Sequence, residues 1–214
     1  MRPLQAKRDF YRRKAREEGY RSRAAYKLIQ LDQKFGLIEE GGTVLDIGCA
    51  PGGWLQAESE RVGSTGHVVG MDIDPVEPPS ANVETFILDI TSPGASDELS
   101  ARLPQGADAV FSDLSPTMMG IWEVDSGRQI DMTRAAFDIA CKVLKKGHSA
   151  VFKIFQGEFT DEFVRYAKVR FRDTDLAKPD ASRRQSSELY LVCLGFKGYP
   201  IPAQQSRPRP RRQS

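Results

Sequence analysis

The sequence predicts an α/β fold, built on a mostly parallel sheet with helices on both faces. Three observations indicate this fold class. Short apolar runs alternate with amphipathic stretches along most of the chain. The first of these runs ends in a glycine-rich turn, Asp46-Ile-Gly-Cys-Ala-Pro-Gly-Gly-Trp54, after which we expect a helix. Aspartates then stand at or near the ends of the next apolar runs, which is where ligands bind in sheets of this kind.

Two helices are predicted before the sheet begins. Residues 5–18 read as a basic helix, which Gly19 ends. Ser22 can cap a second helix over about residues 23–35. Its predicted buried stripe consists of Ala25, Leu28, Ile29 and Leu31. We expect Lys27 to lie beside that stripe and not within it.

Seven strands follow, each predicted from a short apolar run. They cover residues 44–47, 67–71, 83–88, 107–111, 149–155, 171–176 and 189–195. The clearest helix between them covers residues 130–144. We expect Lys145-Lys146-Gly147 to end it, because cations suit the negative end of the helix dipole and glycine permits a left-handed cap.

Composition indicates one soluble globular domain with no metal site. The chain has 214 residues, of which 40% are hydrophobic and 28% charged. No apolar run is long enough to span a bilayer, and the basic N-terminus lacks the apolar segment of a secretory signal. The cysteines, Cys49, Cys141 and Cys193, lack metal-ligand spacing. We therefore expect reduced thiols, a cytoplasmic location and, since no exposed apolar stripe is obvious, a monomer.

Charge is distributed unevenly along the chain. Residues 1–27 hold ten Lys or Arg and three acids, and residues 196–214 hold five Lys or Arg and no acid, whereas the body between them is acidic. This pattern predicts that the basic ends meet a polyanion. The alternative is a solvated helix and a disordered tail. For the tail we favour disorder, because the Pro/Arg-rich run 207–212 cannot pack a core.

The glycine turn indicates a nucleoside ligand. Gly48, Gly52 and Gly53 let the backbone approach a ligand closely, because they carry no Cβ. The pattern is not G-x-G-x-x-G, so a dinucleotide cradle is the weaker interpretation. Asp46 and Pro51 favour a ligand with a charged amino-acid end and a nucleoside end. S-adenosylmethionine (SAM) is such a ligand.

The aspartates at the strand ends support a SAM site. Asp72 lies nineteen residues beyond Gly53, a spacing that suits hydrogen bonds to ribose hydroxyls. Asp89, which we expect to end the third strand, can accept a hydrogen bond from an adenine amino group, and Asp113 ends the fourth strand. Any one of them could instead be a helix cap or turn former. That explanation is weaker for aspartates that end successive strands.

Four further fragments complete the pattern: Arg21-Ser-Arg-Ala-Ala-Tyr-Lys27, Ser112-Asp113-Leu-Ser-Pro116, Phe152-Lys153-Ile-Phe-Gln-Gly157 and Lys178-Pro-Asp-Ala-Ser-Arg-Arg-Gln-Ser-Ser-Glu188. With them, the sequence from Arg21 to Gly195 closely resembles the FtsJ/RrmJ-type ribosomal RNA ribose 2′-O-methyltransferases. The resemblance implies a Rossmann-like SAM-dependent methyltransferase fold, with a seven-stranded sheet whose last strand is antiparallel.

The resemblance also implies site residues. The family's catalytic Lys-Asp-Lys-Glu tetrad falls on Lys27, Asp113, Lys153 and Glu188. The family's cofactor positions fall on Gly52, Trp54, Asp72, Asp89 and Asp113. Two departures bear on the target: Thr117-Met-Met-Gly120 stands where bacterial members usually have an early asparagine, and residues 196–214 have no counterpart in the short bacterial enzymes.

The implied reaction is methyl transfer from SAM to a ribose 2′-hydroxyl of RNA, which we expect to be a uridine of large-subunit ribosomal RNA. Methylation of a transfer RNA anticodon loop or of a messenger RNA cap would use the same chemistry. A catalytically silent SAM- or RNA-binding module is disfavoured by the intact tetrad, and a nicotinamide oxidoreductase is disfavoured by the turn sequence.

Elementary chemistry supports the tetrad. A ribose hydroxyl is a poor nucleophile, so it must be deprotonated or oriented as it attacks the methyl group. Lys153 can act only if its amine is neutral or if it steers a hydroxyl lone pair, and burial beside Lys27 favours the neutral amine. Asp113 could orient Lys153, and Glu188 could orient Lys27 or the ribose. The alternative for Lys153 is a charged gatekeeper on an edge strand.

The basic N-terminal segment predicts an RNA interface. Its cations, Arg12, Arg13, Lys14, Arg16, Arg21 and Arg23, interleave with Phe10, Tyr11 and Tyr20, and Lys178, Arg183 and Arg184 could extend the patch. A solvated amphipathic helix is the alternative. Trp122 and the Met118–Met119 pair either shape the acceptor-nucleotide pocket or pack a loop, and we favour packing.

The expected domain organisation has three parts. Residues 1–36 form a basic helical RNA-binding extension, residues 37–196 form the methyltransferase domain, and residues 197–214 form the basic tail.

Overall fold

The structure, a computed structural model, describes residues 3–183 and 185–198. Its helices are α1 (Pro3–Glu17), α2 (Ala25–Phe35), α3 (Gly53–Val62), α4 (Ala95–Arg102), α5 (Trp122–Val143) and α6 (Thr160–Arg170). Its strands are β1 (Thr43–Ile47), β2 (His67–Asp72), β3 (Val83–Ile87), β4 (Ala107–Ser112), β5 (Leu144–Phe155), β6 (Phe171–Ala177) and β7 (Glu188–Phe196). Arg184 and the tail from residue 199 onward lie outside the described residues.

The seven strands form one sheet in the order β3-β2-β1-β4-β5-β7-β6. The first five run parallel to their neighbours, and β7 runs antiparallel to both β5 and β6. This arrangement confirms the predicted α/β sheet and its antiparallel last strand. The strand order reverses between β1 and β4, and ligands bind at the carboxyl ends of the strands at such a switch point.

Two hydrophobic cores cover the two faces of the sheet. Apolar side chains of α4, α5 and α6 pack on one face, and those of α2 and α3 pack on the other. Helix α1 packs against α2 through a small hydrophobic cluster that contains Ala15 and Tyr26. The division of the chain at residue 36 stays a prediction. Helix α2, which precedes that division, contributes Ala25, Leu28 and Leu31 to the core that it shares with α3.

Helix α5 differs most from its prediction. It begins at Trp122, eight residues earlier than expected, because Asp125 in its first turn accepts hydrogen bonds from two loop amides that precede the helix. It ends at Val143, and the predicted cap residues Lys145, Lys146 and Gly147 belong to β5. The Lys145 ammonium is 2.8 Å from Asp108 of β4, so the neighbouring strand binds it and the helix end does not.

Smaller corrections concern α2 and β3. Helix α2 begins at Ala25, and the Ser22 hydroxyl accepts a hydrogen bond from the Ala24 amide, 3.2 Å away, which precedes the helix. Lys27 is buried on α2, whereas Ile29 of the predicted stripe is only half-buried. Asp89 lies two residues beyond the end of β3 and not within it. Within the described ranges, no helix combines the length and apolar composition that a membrane span requires.

Two carboxyl groups are buried between β1 and α3. Asp46 and Glu58 have no exposed surface, and none of their side-chain oxygens has a hydrogen-bond partner among the described residues. Burial raises the pKa of both groups well above the usual range, and repulsion between the two raises it further for Glu58. The Asp113 and Asp72 carboxylates add to the effect on the pKa of Asp46. Folding therefore favours the neutral form of these acids.

We expect Glu58→Gln to stabilise the protein increasingly as the pH rises. The folded-state pKa of Glu58 lies above its unfolded value, so above about pH 4.5 the unfolded chain loses a proton that the folded protein keeps. Wild-type stability should then fall with pH by at most about 1.4 kcal/mol per unit from this group. Glutamine has a similar shape but does not ionise, so the variant lacks this loss of stability.

The measurement is urea unfolding at about pH 5 and about pH 8. Glu123→Gln changes an exposed glutamate of α5 and should follow the wild type at both values. A gain from Glu58→Gln that does not depend on pH would show that the Glu58 carboxyl is not held neutral.

Candidate active site

Gly48 shapes the end of β1 where the cavity begins. Its φ is +85°, and a Cβ at this position would lie 2.6 Å from Leu114 Cδ2. Only glycine therefore lets the loop that follows β4 approach the turn. Gly48 also lines the cavity described below, as the sequence predicts.

Gly52 and Gly53 are packed against the segment that leads into α2. A Cβ on Gly52, which has φ +100°, would lie 2.5 Å from Arg21 Nη1, and one on Gly53 would lie 2.3 Å from Ser22 Oγ. The Arg21 guanidinium also donates to the Glu77 carbonyl. These glycines therefore admit the segment that leads into α2, and they are not among the residues that line the cavity.

Trp54 is likewise placed against α2. Its indole N–H donates to the Ala24 carbonyl, 2.8 Å away, and its ring packs against Phe111 and Tyr190. The side chain is 3% exposed and does not line the cavity. The cofactor role predicted for Trp54, Gly52 and Gly53 stays a prediction.

A cavity of about 690 Å³ opens beyond the carboxyl ends of β1, β2 and β4. It brings together Gly48, Asp72, Asp89 and Asp113, four of the residues that the sequence predicts for a cofactor site. Asp72 accepts hydrogen bonds from the amides of Ala50 (2.9 Å) and Asp74 (3.1 Å). Its carboxylate is thus fixed in place, and each oxygen keeps a lone pair for a ligand.

Asp89 is held by its own turn. One carboxylate oxygen accepts hydrogen bonds from the Thr91 hydroxyl (2.7 Å) and amide (2.8 Å). These bonds lower the pKa of Asp89, so the side chain stays an anionic acceptor at the cavity wall.

The four tetrad side chains meet beside this cavity. The Lys27 ammonium is 2.8 Å from Glu188 Oε1 and 4.0 Å from Asp113 Oδ2, and the Lys153 ammonium is 3.3 Å from Asp113 Oδ1. Lys153 also donates to the Asp113 main-chain carbonyl. Two cations thus face two anions, although the four residues come from α2, β5, β7 and the end of β4. Both lysines are buried, so the lysine side of this network is shielded from water.

Tyr190 joins the network and was missed by the sequence analysis. Its hydroxyl donates to Asp113 Oδ1 (2.7 Å) and accepts from Lys27 Nζ (3.0 Å). Burial, together with the Asp113 and Glu188 charges, raises the pKa of Tyr190 well above the usual range, so the phenol stays neutral. The strand period could have found it, because Tyr190 follows Glu188 by two residues and so shares its face of β7.

Asp113 is the anion on which the other groups converge. Burial by itself raises the pKa of this carboxyl, but the Lys153 and Lys27 cations and the Tyr190 hydrogen bond outweigh burial and lower the pKa. Asp113 therefore stays ionised near neutral pH. Because it also lines the cavity, it is the direct link between the cavity and the buried lysines.

Residues 20–196 match the sequence profile of the FtsJ-like methyltransferases. The chain belongs to this family. The match covers all four tetrad residues and the whole sheet, and it confirms the resemblance predicted from the sequence.

Curated relatives in the family are similar over most of their length. A protein from Cenarchaeum symbiosum named ribosomal RNA large subunit methyltransferase E is 48% identical over 198 residues, which cover 92% of this chain and all of that protein. A protein of the same name from Methanocaldococcus jannaschii is 41% identical, over 91% of this chain and 81% of its own.

Solved structures agree with the fold. A Plasmodium falciparum protein assigned as a ribosomal RNA methyltransferase superposes with a TM-score of 0.76 at 29% identity, covering 84% of this chain and all of its own. Fibrillarin from Aeropyrum pernix, solved with bound SAM, superposes with a TM-score of 0.56 at 17% identity, over 79% of this chain and 76% of its own.

The basic surface of this family member is only partly as predicted. Arg12, Arg13 and Arg16 are exposed on α1, and Arg13 lies 3.6 Å from Glu17. Arg21 holds the glycine turn, as described above. Of the interleaved aromatic rings, Tyr11 and Tyr20 pack against Tyr26, and Phe10 remains exposed. Arg184 lies outside the described residues.

We expect Gly52→Ala to lower both stability and activity more than Gly94→Ala does. Both glycines have positive φ, +100° and +90°, so alanine strains the backbone at each by about 1–2 kcal/mol. Only at Gly52 does the added methyl also press on Arg21 and so displace the segment that carries Lys27, because the space around Gly94 is open.

Thermal unfolding and methyl transfer measured on both variants test this expectation. Equal losses in the two variants would show that the Arg21 contact does not position Lys27.

Proposed function

We propose that this chain transfers the methyl group of SAM to a ribose 2′-hydroxyl of RNA, specifically to a uridine of large-subunit ribosomal RNA. The observation that carries the proposal is the Lys153–Asp113 pair beside the cavity. Tyr190 joins this pair to Lys27, and Lys27 in turn binds Glu188. The names of the similar archaeal proteins support the choice of ribosomal RNA. We also propose that the chain acts in the cytoplasm as a monomer.

The cavity fits SAM in size and in chemistry. Its volume is within the range of about 300–1,000 Å³ that is usual for small-molecule sites. The Asp72 carboxylate can accept from the ribose hydroxyls, and the Asp89 carboxylate can accept from the adenine amino group. Gly48 lets the backbone lie close to the ligand. When bound, SAM supplies an electrophilic methyl group on a sulfonium centre.

The tetrad would prepare the acceptor hydroxyl. Lys153, fixed by the Asp113 carboxylate and main-chain carbonyl, would orient the 2′-hydroxyl. It would take the hydroxyl proton only from the form in which its own amine is neutral. Lys27, fixed by Glu188 and Tyr190, would hold the ribose oxygen from the other side. Asp113 places a negative charge at the cavity wall, which suits a cationic methyl donor. Positioning by such fixed groups supplies much of the rate when the donor is already activated.

The first experiment supplies labelled SAM with three acceptors: hypomodified ribosomal subunits, naked ribosomal RNA and total transfer RNA. Digestion of the products then locates the label. We expect label on a 2′-oxygen of large-subunit RNA. Label in transfer RNA alone would keep the chemistry and refute the ribosomal target, and SAM binding without any label would favour a silent module.

We expect Lys153→Met to abolish methyl transfer, with a loss of at least about 100-fold, while SAM binding stays nearly intact. Methionine fills the buried space but cannot orient or deprotonate a hydroxyl. Lys145→Met is a matched control, because Lys145 lies on the same strand and pairs with Asp108 outside the cavity. Turnover equal to the wild type in Lys153→Met would remove Lys153 from the mechanism.

We expect replacement of Arg12, Arg13 and Arg16 by glutamine to weaken RNA binding and to flatten its salt dependence. Each lost phosphate contact should reduce the log–log slope by about 0.7–0.9. The control changes Arg165 and Lys168, which are exposed on α6 on the other face of the sheet. RNA affinity is measured for both variants at several salt concentrations. An unchanged slope of log affinity against log salt concentration in the α1 variant would place the RNA path elsewhere.

A further inference from the structure

A group of apolar side chains is exposed to solvent beside the tetrad. We define the loop face as Met118, Met119, Ile121 and Trp122, which are 54%, 57%, 52% and 43% exposed. Met118, Met119 and Ile121 lie in the loop that joins β4 to α5, and Trp122 is the first residue of α5. Exposed apolar side chains grouped in this way usually mark a binding surface, and loop packing, which the sequence analysis favoured, would have buried them.

The loop is held firmly from beneath. The buried Asp125 carboxylate accepts hydrogen bonds from the amides of Met119 (2.8 Å) and Gly120 (2.9 Å). The Gln129 amide donates to the carbonyls of Leu114 (3.1 Å) and Lys153 (3.0 Å). The apolar side chains are therefore presented outward by a fixed backbone, which lowers the entropic cost of binding a ligand there.

The loop face is continuous with the catalytic face of the sheet. The Trp122 ring stacks on Phe155, with ring centroids 5.8 Å apart and planes 23° from parallel. Phe155 stands opposite Glu188 across the β5–β7 pair, and Lys153 stands opposite Tyr190. Cross-strand partners lie on one face and two-residue neighbours share it, so all four side chains project to the same side as Lys27.

The first half of the same loop meets the cofactor cavity. Residues 114–117 line that cavity, and the loop face follows directly. Lys153 lies two residues before Phe155 on β5, and the Trp122 ring stacks on Phe155. A nucleotide whose 2′-hydroxyl reaches Lys153 from outside therefore brings its base, or that of its neighbour, within reach of the Trp122 ring. A protein partner would need no such alignment between an aromatic stack and the reacting group.

We propose that Trp122, supported by Phe155 and flanked by Met118 and Met119, is the stacking platform for a nucleobase at or next to the methylated ribose. This inference rests on the proposed function and adds a substrate-binding site to it. Every nucleobase has a π face, and stacking on a tryptophan fixes the base without reading its identity. The thioethers of the methionines adapt to the edge of the base.

The two tryptophans of the chain allow a direct test. Trp54 is 3% exposed, so RNA-dependent changes in tryptophan fluorescence would report on Trp122. The probes are a mixed-sequence single-stranded RNA of about ten nucleotides and an abasic ribose-phosphate chain of the same length, a length that matches single-strand site sizes. With S-adenosylhomocysteine present, we expect the RNA to quench the fluorescence and the abasic chain to bind without quenching it.

Variants provide the second readout. Trp122→Ala should raise the KM for RNA on the order of 10- to 100-fold and leave SAM affinity unchanged, and Trp122→Phe should recover most of the loss. Trp122→Phe should also lose the quenching signal, because only Trp54 remains. Val169→Ala, an exposed apolar residue of α6, is the control and should match the wild type.

The outcomes separate this inference from the proposed function. Quenching of Trp122 by bases, in a wild-type protein that methylates no RNA, would support the platform and refute the proposed reaction. Equal quenching by the abasic chain, or an unchanged KM in Trp122→Ala, would overturn the platform even if RNA is methylated. Loss of a protein partner in Trp122→Ala with normal RNA kinetics would assign the loop face to that partner and overturn the inference.

Discussion

The ion network of Lys27, Asp113, Lys153 and Glu188, in which both lysines are buried, is the constraint on which the rest of the site depends. A charge taken out of water is costly unless an opposite charge and hydrogen bonds accompany it, so each of these groups requires the others. They come from four separate elements, and their pairing brings α2 against the sheet. Tyr190 completes the network, because its neutral hydroxyl both donates to Asp113 and accepts from Lys27. The result is a balanced and partly dry cluster in which an amine can be held against a hydroxyl without a bulk-water competitor.

The contacts around the glycine turn support this network from one side. Gly52 and Gly53 admit the Arg21–Ser22 segment, and Trp54 binds the Ala24 carbonyl, so the turn that begins the cavity also fixes the start of the helix that carries Lys27. The cavity and Lys27 are thereby set relative to each other by one stretch of chain. On the other side, Gln129 ties the loop after β4 to the Lys153 carbonyl, which fixes the surface on which we place the nucleobase.

The correct and the wrong sequence predictions both have physical causes. All seven strands were predicted, because each contains a short apolar run and such a signal is local. The signal is strongest in the central parallel strands β1, β2 and β4, which are buried along most of their length. The start of α5 was missed because it depends on Asp125, whose hydrogen bonds to loop amides exist only once the loop has folded. Lys27 was placed beside the buried stripe of α2, since a lone lysine is normally solvated, and the partners that allow its burial are 86 and more residues away. The alternation of β7 could have indicated Tyr190, because it shares a strand face with Glu188. In contrast, nothing in the local sequence shows that Gly48 lines the cavity whereas Gly52 contacts Arg21.

By itself, the sequence determined the α/β class, the strand positions and the family, and it named the four residues that meet beside the cavity. These follow from local patterns of hydrophobicity and from motifs that are contiguous in the chain. Only the tertiary structure decided which partners those residues have. It placed Gly52, Gly53 and Trp54 against the segment that leads into α2 and added Tyr190 to the network. It also left Met118, Met119 and Trp122 exposed, with the Trp122 ring stacked on Phe155 of the strand that carries Lys153. Such roles depend on distances between segments that are far apart in sequence, and those distances exist only after the sheet has brought the segments together.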